Sequence, residues 1–287
     1  MPNYTVAHSP DADDIFMYSA IAFGWIDTGD IKLANFAADI ESLNESAEAL
    51  KYDATAISFA FYPHIFGDQA LLRTAASFGQ GYGPKLICRK DKKLRKNFTV
   101  ALSGARTTNA LLFRAAYPEA RAKYMNFLEI ERAVLEGETD AGVLIHESIL
   151  NYSDELRVEA EIWDIWRELA GADLPLPLGG MCLRRSLPLN RAIEMERILA
   201  KAVRAAVDHK ALIAGMLIDR GLARVDLTLL DRYLSLYANE DSVDFSAAQK
   251  QAIETLFKIG YDRGEYREIV TLDRALIPIE YANLRGF

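Results

Sequence analysis

The chain has 287 residues, a formal net charge of −8, and 51% hydrophobic, 26% charged and 10% aromatic side chains. This ordinary globular composition excludes a long disordered tract, and the acidic balance excludes a nucleic-acid partner, whose phosphates need clustered Lys and Arg. Set against roughly 150 residues per domain the length predicts two domains, while Cys88 and Cys182, far apart, offer neither a disulfide framework nor zinc-ligand spacing.

No apolar run reaches the ~18 residues of a membrane span. The first long uncharged stretch, residues 15–26, follows Asp11, Asp13 and Asp14, where an export signal would carry positive charge. No membrane partner and a cytoplasmic location are therefore expected.

Residues 4–8 read as a first strand. Phe16, Met17, Ala20 and Ile21 then recur at the 3.6 period of a helix, and Asp13 and Asp14 suit its positive end. Helix capping is preferred for this acidic group over a hard-cation site, because EF-hand spacing is absent. Residues 31–38 predict a second strand, Ser42-Leu-Asn-Glu45 a capping box opening a helix to about Lys51, and Ala54–Ser58 a buried strand. Residues 89–96 hold six basic side chains in eight, a solvated run read as a crossover between the halves, and precede a strand at 98–102. Strands at 141–145 and 180–183 follow. Helical periodicity then prevails: Met195, Ile198, Leu199, Ala202, Val203 and Ala206 form one apolar stripe, and Ser246 with Gln249 caps a later helix.

Two segments echo each other. ESAEALKYDATAISFAF and EIERAVLEGETDAGVLIHES each run helix, Asp-Ala, apolar strand. Ligands gather beyond the carboxyl ends of parallel strands. The first cassette delivers Ser58 and Phe59 to such an end, the second His146 and Glu147. The expected architecture is α/β with largely parallel sheets: residues 1–93 plus 185–287 form a discontinuous domain and 94–184 an inserted one. Crossings near 89–96 and 184–189 are expected to let the domains close on ligand.

His146 is the foremost candidate for chemistry, since imidazole, with an unperturbed pKa of about 6.5, transfers protons near neutral pH. A strand-end histidine bonded only to backbone is the plainer alternative. His8 lies beside another strand end and carries the structural reading more strongly; His64 and His209 read as surface or packing residues. Ser103-Gly-Ala-Arg-Thr-Thr108 leaves a strand and opens a helix, offering an anion free N–H groups, two hydroxyls and the positive dipole end, with an ordinary cap as alternative. Gly179 and Gly180 allow either a close ligand approach or a plain turn. No HExxH motif, GxSxG triad or Cys/His cluster is present, which leaves one positioned base in an occluding cleft.

HSPDADDIFMY, the strand end at Ser58, ARTTNALL, AGVLIHES and PLPLGGMCLRR occur in the order seen in the 1,4-dihydroxy-6-naphthoate synthase family, which this chain resembles over residues 1 to about 190. The resemblance implies the two-domain periplasmic-binding-protein type II architecture with a ligand cleft between domains. It implies a lyase of menaquinone biosynthesis that converts cyclic dehypoxanthinyl futalosine to 1,4-dihydroxy-6-naphthoate and dihydroxyacetone without metal or organic cofactor. His146, in the LIHE motif, is then the general base, and Ala56, Ile57, Ser58, Thr107 and Thr108 contact a small-molecule carboxylate substrate. Many members begin with SPCPNDT and carry a lysine where this chain has Ala56. Chorismate dehydratase of the same fold and a noncatalytic carboxylate-binding protein are the alternatives, and oligomeric state stays open.

Overall fold

In the computed structural model, which describes residues 3–278, the chain builds two sheets with helices on their faces. It opens with β1 (Asn3–His8), α1 (Ala12–Ala22), β2 (Lys32–Ala37), α2 (Ile40–Glu48), β3 (Ala54–Ser58), α3 (Tyr62–Ile65), β4 (Gln69–Leu71) and β5 (Ser77–Gly79). The middle comprises β6 (Lys85–Arg89), β7 (Thr99–Leu102), α4 (Thr108–Ala116), β8 (Arg121–Tyr124), α5 (Ile130–Leu135), β9 (Ala141–Leu144), β10 (Leu156–Glu161), α6 (Ile162–Ala170) and β11 (Leu176–Arg184). Helices α7 (Leu189–Asp208), α8 (Lys210–Asp219), α9 (Leu227–Tyr237), α10 (Ala247–Asp262) and α11 (Leu272–Ala275) complete the described residues.

The first sheet has the order β2-β1-β3-β11-β4, with β5 also on β11, and the second the order β10-β6-β9-β7-β8. The sequence echo is a repeat of structure: β2-β1-β3 and β8-β7-β9 are both parallel triplets. Each is pinned by one side-chain pair. Thr5 donates its N–H (2.7 Å) and hydroxyl (2.8 Å) to Asp53 Oδ2, and Thr99 donates both groups to Asp140 Oδ2 at 2.8 Å. In return Asp53 N–H reaches Thr5 Oγ1 at 2.9 Å and Asp140 N–H reaches Thr99 Oγ1 at 3.0 Å. An apolar strand preceded by Asp therefore docks on a strand that carries Thr in its first half, in a register the pair fixes.

The sheets are mixed, not largely parallel. Strand β11 runs antiparallel to β3, β4 and β5, and β6 antiparallel to β9 and β10. These reversing strands also move the crossings. The chain changes sheets between Gly79 and Lys85 and again between Glu161 and Leu176, away from the expected 93/94 and 184/185. The basic run at 89–96 is an exposed turn joining β6 to β7 within one sheet, which is where repelling charges can be solvated. Asp39, not Ser42, caps α2, taking the N–H groups of Glu41 and Ser42 at 3.1 Å; a carboxylate is the stronger acceptor for helix-start amides.

The C-terminal helices cover the first sheet. The stripe from Met195 to Ala206 is buried where α7 lies along α1, and α10, opened by the Ser246 and Gln249 capping box, packs on β11.

Candidate active site

A cleft holding about 770 Å³ of space, its open mouth included, lies where both sheets present strand ends. Ala56, Ile57 and Ser58 reach it from β3, Ile145 and His146 from beyond β9, and Thr107, Thr108 and Asn109 from the start of α4. Gly179 and Gly180 of β11, the β1–α1 loop with Asp11, Asp13 and Asp14, and Tyr233 and Tyr237 of α9 complete the principal lining. The six residues singled out in the sequence, Ala56, Ile57, Ser58, Thr107, Thr108 and His146, thus face one cavity. His8 is absent from it: His8 is buried, its Nδ1 lies 2.7 Å from Ser9 O, and its ring packs on Tyr18. His64 and His209 are exposed.

His146 follows β9 with φ of +54°, a left-handed conformation that is uncommon for residues other than Gly and costs least for Asn, Asp and His. Its Nε2 lies 2.9 Å from Asp11 Oδ2, a close charge contact without an aligned hydrogen bond. Phe127 packs edge-on against the ring at 4.9 Å. Burial opposes charge on His146, but the Asp11 carboxylate, aided by Asp13 and Glu147, outweighs it and raises the imidazole pKa to about 9. That lies above the value of about 6.5 for an unperturbed imidazole. Burial also disfavours charge on Asp11, yet His146, Ser9 and Arg224 hold that carboxyl below its ordinary range.

The aspartates are not helix caps. Asp11 occupies the N-cap position of α1 but takes no amide of the helix; its oxygens receive the Ser9 hydroxyl and Arg224. Asp13 accepts from Tyr233 (3.0 Å) and Ser77 (3.1 Å), and burial lifts it to about 6. Asp14 accepts the Ser9 N–H at 2.7 Å and is raised well above a normal carboxyl by burial and by Asp13. Asp11, Asp13 and His146 bring possible metal-ligand atoms within 4.8 Å of one another. The aspartate oxygens of this group also accept hydrogen bonds from Ser9, Arg224, Ser77 and Tyr233.

The other wall is built for hydrogen bonding. Ser58 N–H donates to Asn44 Oδ1 at 2.9 Å, and Asn44 Nδ2 donates to Ser58 Oγ at 3.3 Å, which leaves the serine proton free for a ligand. Both threonine hydroxyls have partners. Thr107 caps α4 by accepting from Ala110 N–H, and Thr108 donates to Leu178 O at 2.8 Å while accepting from Ala60 N–H, tying the two halves. The first-turn amides of α4, not the threonine hydroxyls, are the donors this wall offers an anion, whereas Asn109 Oδ1, buried and without a partner among the described residues, can only accept from a donor group on a ligand. Arg106, one residue earlier, is spent on Glu41, Glu45 and Glu48 of α2. Gly180 serves packing: a Cβ there would fall 2.8 Å from the Phe59 ring.

Sequence reasoning missed Asp11 and Asp13 as site residues, and also Asn109, Tyr233 and Arg224. Asp13 carried a signal, an acid one turn before Met17 on the buried side of α1. Arg224 carried none, since it lies in the irregular segment 220–226.

A family model described as menaquinone biosynthesis matches residues 4–262. A 1,4-dihydroxy-6-naphthoate synthase of Streptomyces coelicolor is 30% identical over 258 residues, covering 88% of this chain and 90% of that protein. One of Thermus thermophilus is 26% identical over 260 residues, covering 89% and 93%. The crystal structure of an Archaeoglobus fulgidus protein matches with TM-score 0.84 at 31% identity, covering 92% of this chain and 98% of that one. The periplasmic aliphatic sulphonate binding protein of Escherichia coli, 11% identical with TM-score 0.66 over 96% and 92% of the two chains, shares the periplasmic-binding-protein fold alone.

Proposed function

The chain belongs to the menaquinone-biosynthesis family, and from that premise we propose that it converts cyclic dehypoxanthinyl futalosine to 1,4-dihydroxy-6-naphthoate and dihydroxyacetone in the cytoplasm, with His146 as general base. The observation that carries this reading is the meeting of His146 and Asp11 in a cleft whose opposite wall offers first-turn amides to a carboxylate. Two domains stay the proposal, one around each sheet, with the crossings at 79–85 and 161–176 in place of the bounds 93/94 and 184/185.

Fragmentation needs a base, because a hydroxyl oxygen must lose its proton as the carbon–carbon bond electrons depart. Neutral His146, its Nε2–H held toward Asp11, takes that proton at Nδ1; the oxygen becomes a carbonyl, and the electrons released from the broken bond go into the system that ends as an aromatic ring. Asp11 stabilises the imidazolium formed. A base with a pKa of about 9 is strong but scarce, with roughly one molecule in a hundred deprotonated at pH 7. The pair thus favours proton capture at the expense of abundance. Purified protein incubated with cyclic dehypoxanthinyl futalosine should produce the naphthoate absorbance and consume substrate. Ligand bound and recovered unchanged would refute the reading in favour of a binding protein.

A further inference from the structure

We infer that Arg224 is a positioning residue that straps the 220–226 loop across both halves of the molecule and fixes the Asp11–His146 pair in place and in charge. Its guanidinium touches four groups. Nη1 lies 3.3 Å from Asp11 Oδ1 and 3.6 Å from Glu147 Oε2, and Nη2 donates to Pro10 O at 3.1 Å. The group also sits over the Phe127 ring at 5.3 Å, and Phe127 packs on His146. Pro10 and Asp11 precede α1 of the first half, whereas Glu147 and Phe127 belong to the second. One side chain from a third region therefore spans the cleft.

Charge makes the strap matter. His146 is faced by Asp11 and Asp13 from the first half, by Glu147 beside it, by Asp14 further along α1, and by the Tyr233 phenol from α9. Among the described residues, Arg224 and His146 alone form ion pairs with Asp11 or Glu147. Without Arg224, those acids would draw harder on the imidazole proton and hold it more tightly. Ala12 N–H, at 3.3 Å from Glu147 Oε1, and the Asp11–His146 contact itself would remain as ties at this edge of the cleft. The Arg224 side chain is 36% exposed, so solvent moderates its effect without removing it.

The consequence for rate rests on His146 as base; the consequence for His146 itself does not. The test compares the parent with Arg224→Gln and Arg224→Lys. Nitrogen NMR reads the His146 titration, its signal identified by its loss in His146→Asn, and kcat/KM is followed against pH. Arg224→Gln should raise the His146 midpoint by about 0.5 to 1 unit, move the acid limb equally, and lower kcat/KM at pH 7 about three- to tenfold. Arg224→Lys, keeping the charge, should restore the midpoint. An unchanged midpoint in Arg224→Gln, or a rate loss equal at every pH, overturns the inference. A midpoint that rises while the acid limb stays fixed upholds Arg224 and refutes His146 as base. The titration uses folded protein, so a lowered melting temperature in Arg224→Gln leaves the midpoint decisive.

Discussion

Strand β3 ends on Ser58, in ordinary extended geometry with φ of −76°, whereas the second residue past β9 is His146 at φ of +54°. Up to that point the two cassettes match, even in the Thr–Asp pair that sets register. The frame therefore delivers a strand end, and the residue type and backbone twist there decide what it can do. Ser58 is held by Asn44 from its own half and offers a hydroxyl proton. His146 finds its acidic partner only in the other half, so its basicity is a product of apposition.

The largest expected effect tests that division. Asn tolerates a left-handed backbone, so His146→Asn should fold while losing about 10²- to 10⁴-fold in kcat with binding retained. Ser58→Ala, at the strand end of the other cassette, removes one hydrogen bond and should raise KM less than about tenfold with little change in kcat. Steady-state kinetics showing similar kcat losses in both variants would erase the distinction.

The apposed carboxylate gives the next prediction. The acid limb of kcat/KM should lie near the His146 pKa of about 9. That is above the range of about 5.5 to 7.5 for an unperturbed imidazole. Asp11→Asn leaves burial as the leading influence and should move the limb down by about two units. A limb at the same pH in both proteins would separate His146 from Asp11. Stability follows with a definite sign: a histidine raised on folding contributes fully below about pH 6.5, and this contribution is lost as pH climbs through about 9.

The shared frame can be broken one cassette at a time. Thr5→Val should cost about 1 to 3 kcal/mol and Thr99→Val about 0.5 to 1.5, because Asp53 is buried beside Arg184 while Asp140 is exposed. Burial would raise Asp53, but Thr5 and Arg184 hold it below its ordinary pKa. Its contribution is present above about pH 4 and fades as pH falls through the folded value. Urea midpoints that are equal for the two variants at pH 7 would contradict this ordering.

The smallest effect lies where the cassettes differ harmlessly. After α2 the left-handed position is Leu50, at φ +53°, and after α5 it is Gly137, at φ +76° with nothing within 4 Å of an added Cβ. Leu50→Gly should stabilise, and Gly137→Ala destabilise, by about 1 kcal/mol or less. Thermal melts that shift in the same direction for both would show that something other than backbone strain governs these turns.

The repeated cassette was legible because helix and strand periods are local and Asp-Ala recurs at the same place. His146 and Ser58 were legible because parallel strands end at a cleft. The sheet exchange was not, since β11 and β6 read as apolar strands whatever their direction. Nor was the Asp11–His146 pair: SPDADD reads as a helix start until folding brings residue 146 beside it. The threonines show the opposite limit, as their hydroxyls looked available in a sequence that does not reveal Leu178 O or Ala60 N–H.

The place of β11 between β3 and β4 has a consequence for synthesis. Strands β1 to β5 leave the ribosome first, yet Ser58 waits for Gly179 as its partner. The second sheet lies wholly within residues 85–161 and is the first unit able to close. Closing the longer loop costs more chain entropy and more time, during which the edges of β3 and β4 stay unpaired and open to wrong neighbours. The nascent chain thus finishes its middle before its beginning. The cleft, which needs Ser58 from the waiting sheet and His146 from the finished one, is assembled only after β11 has threaded home.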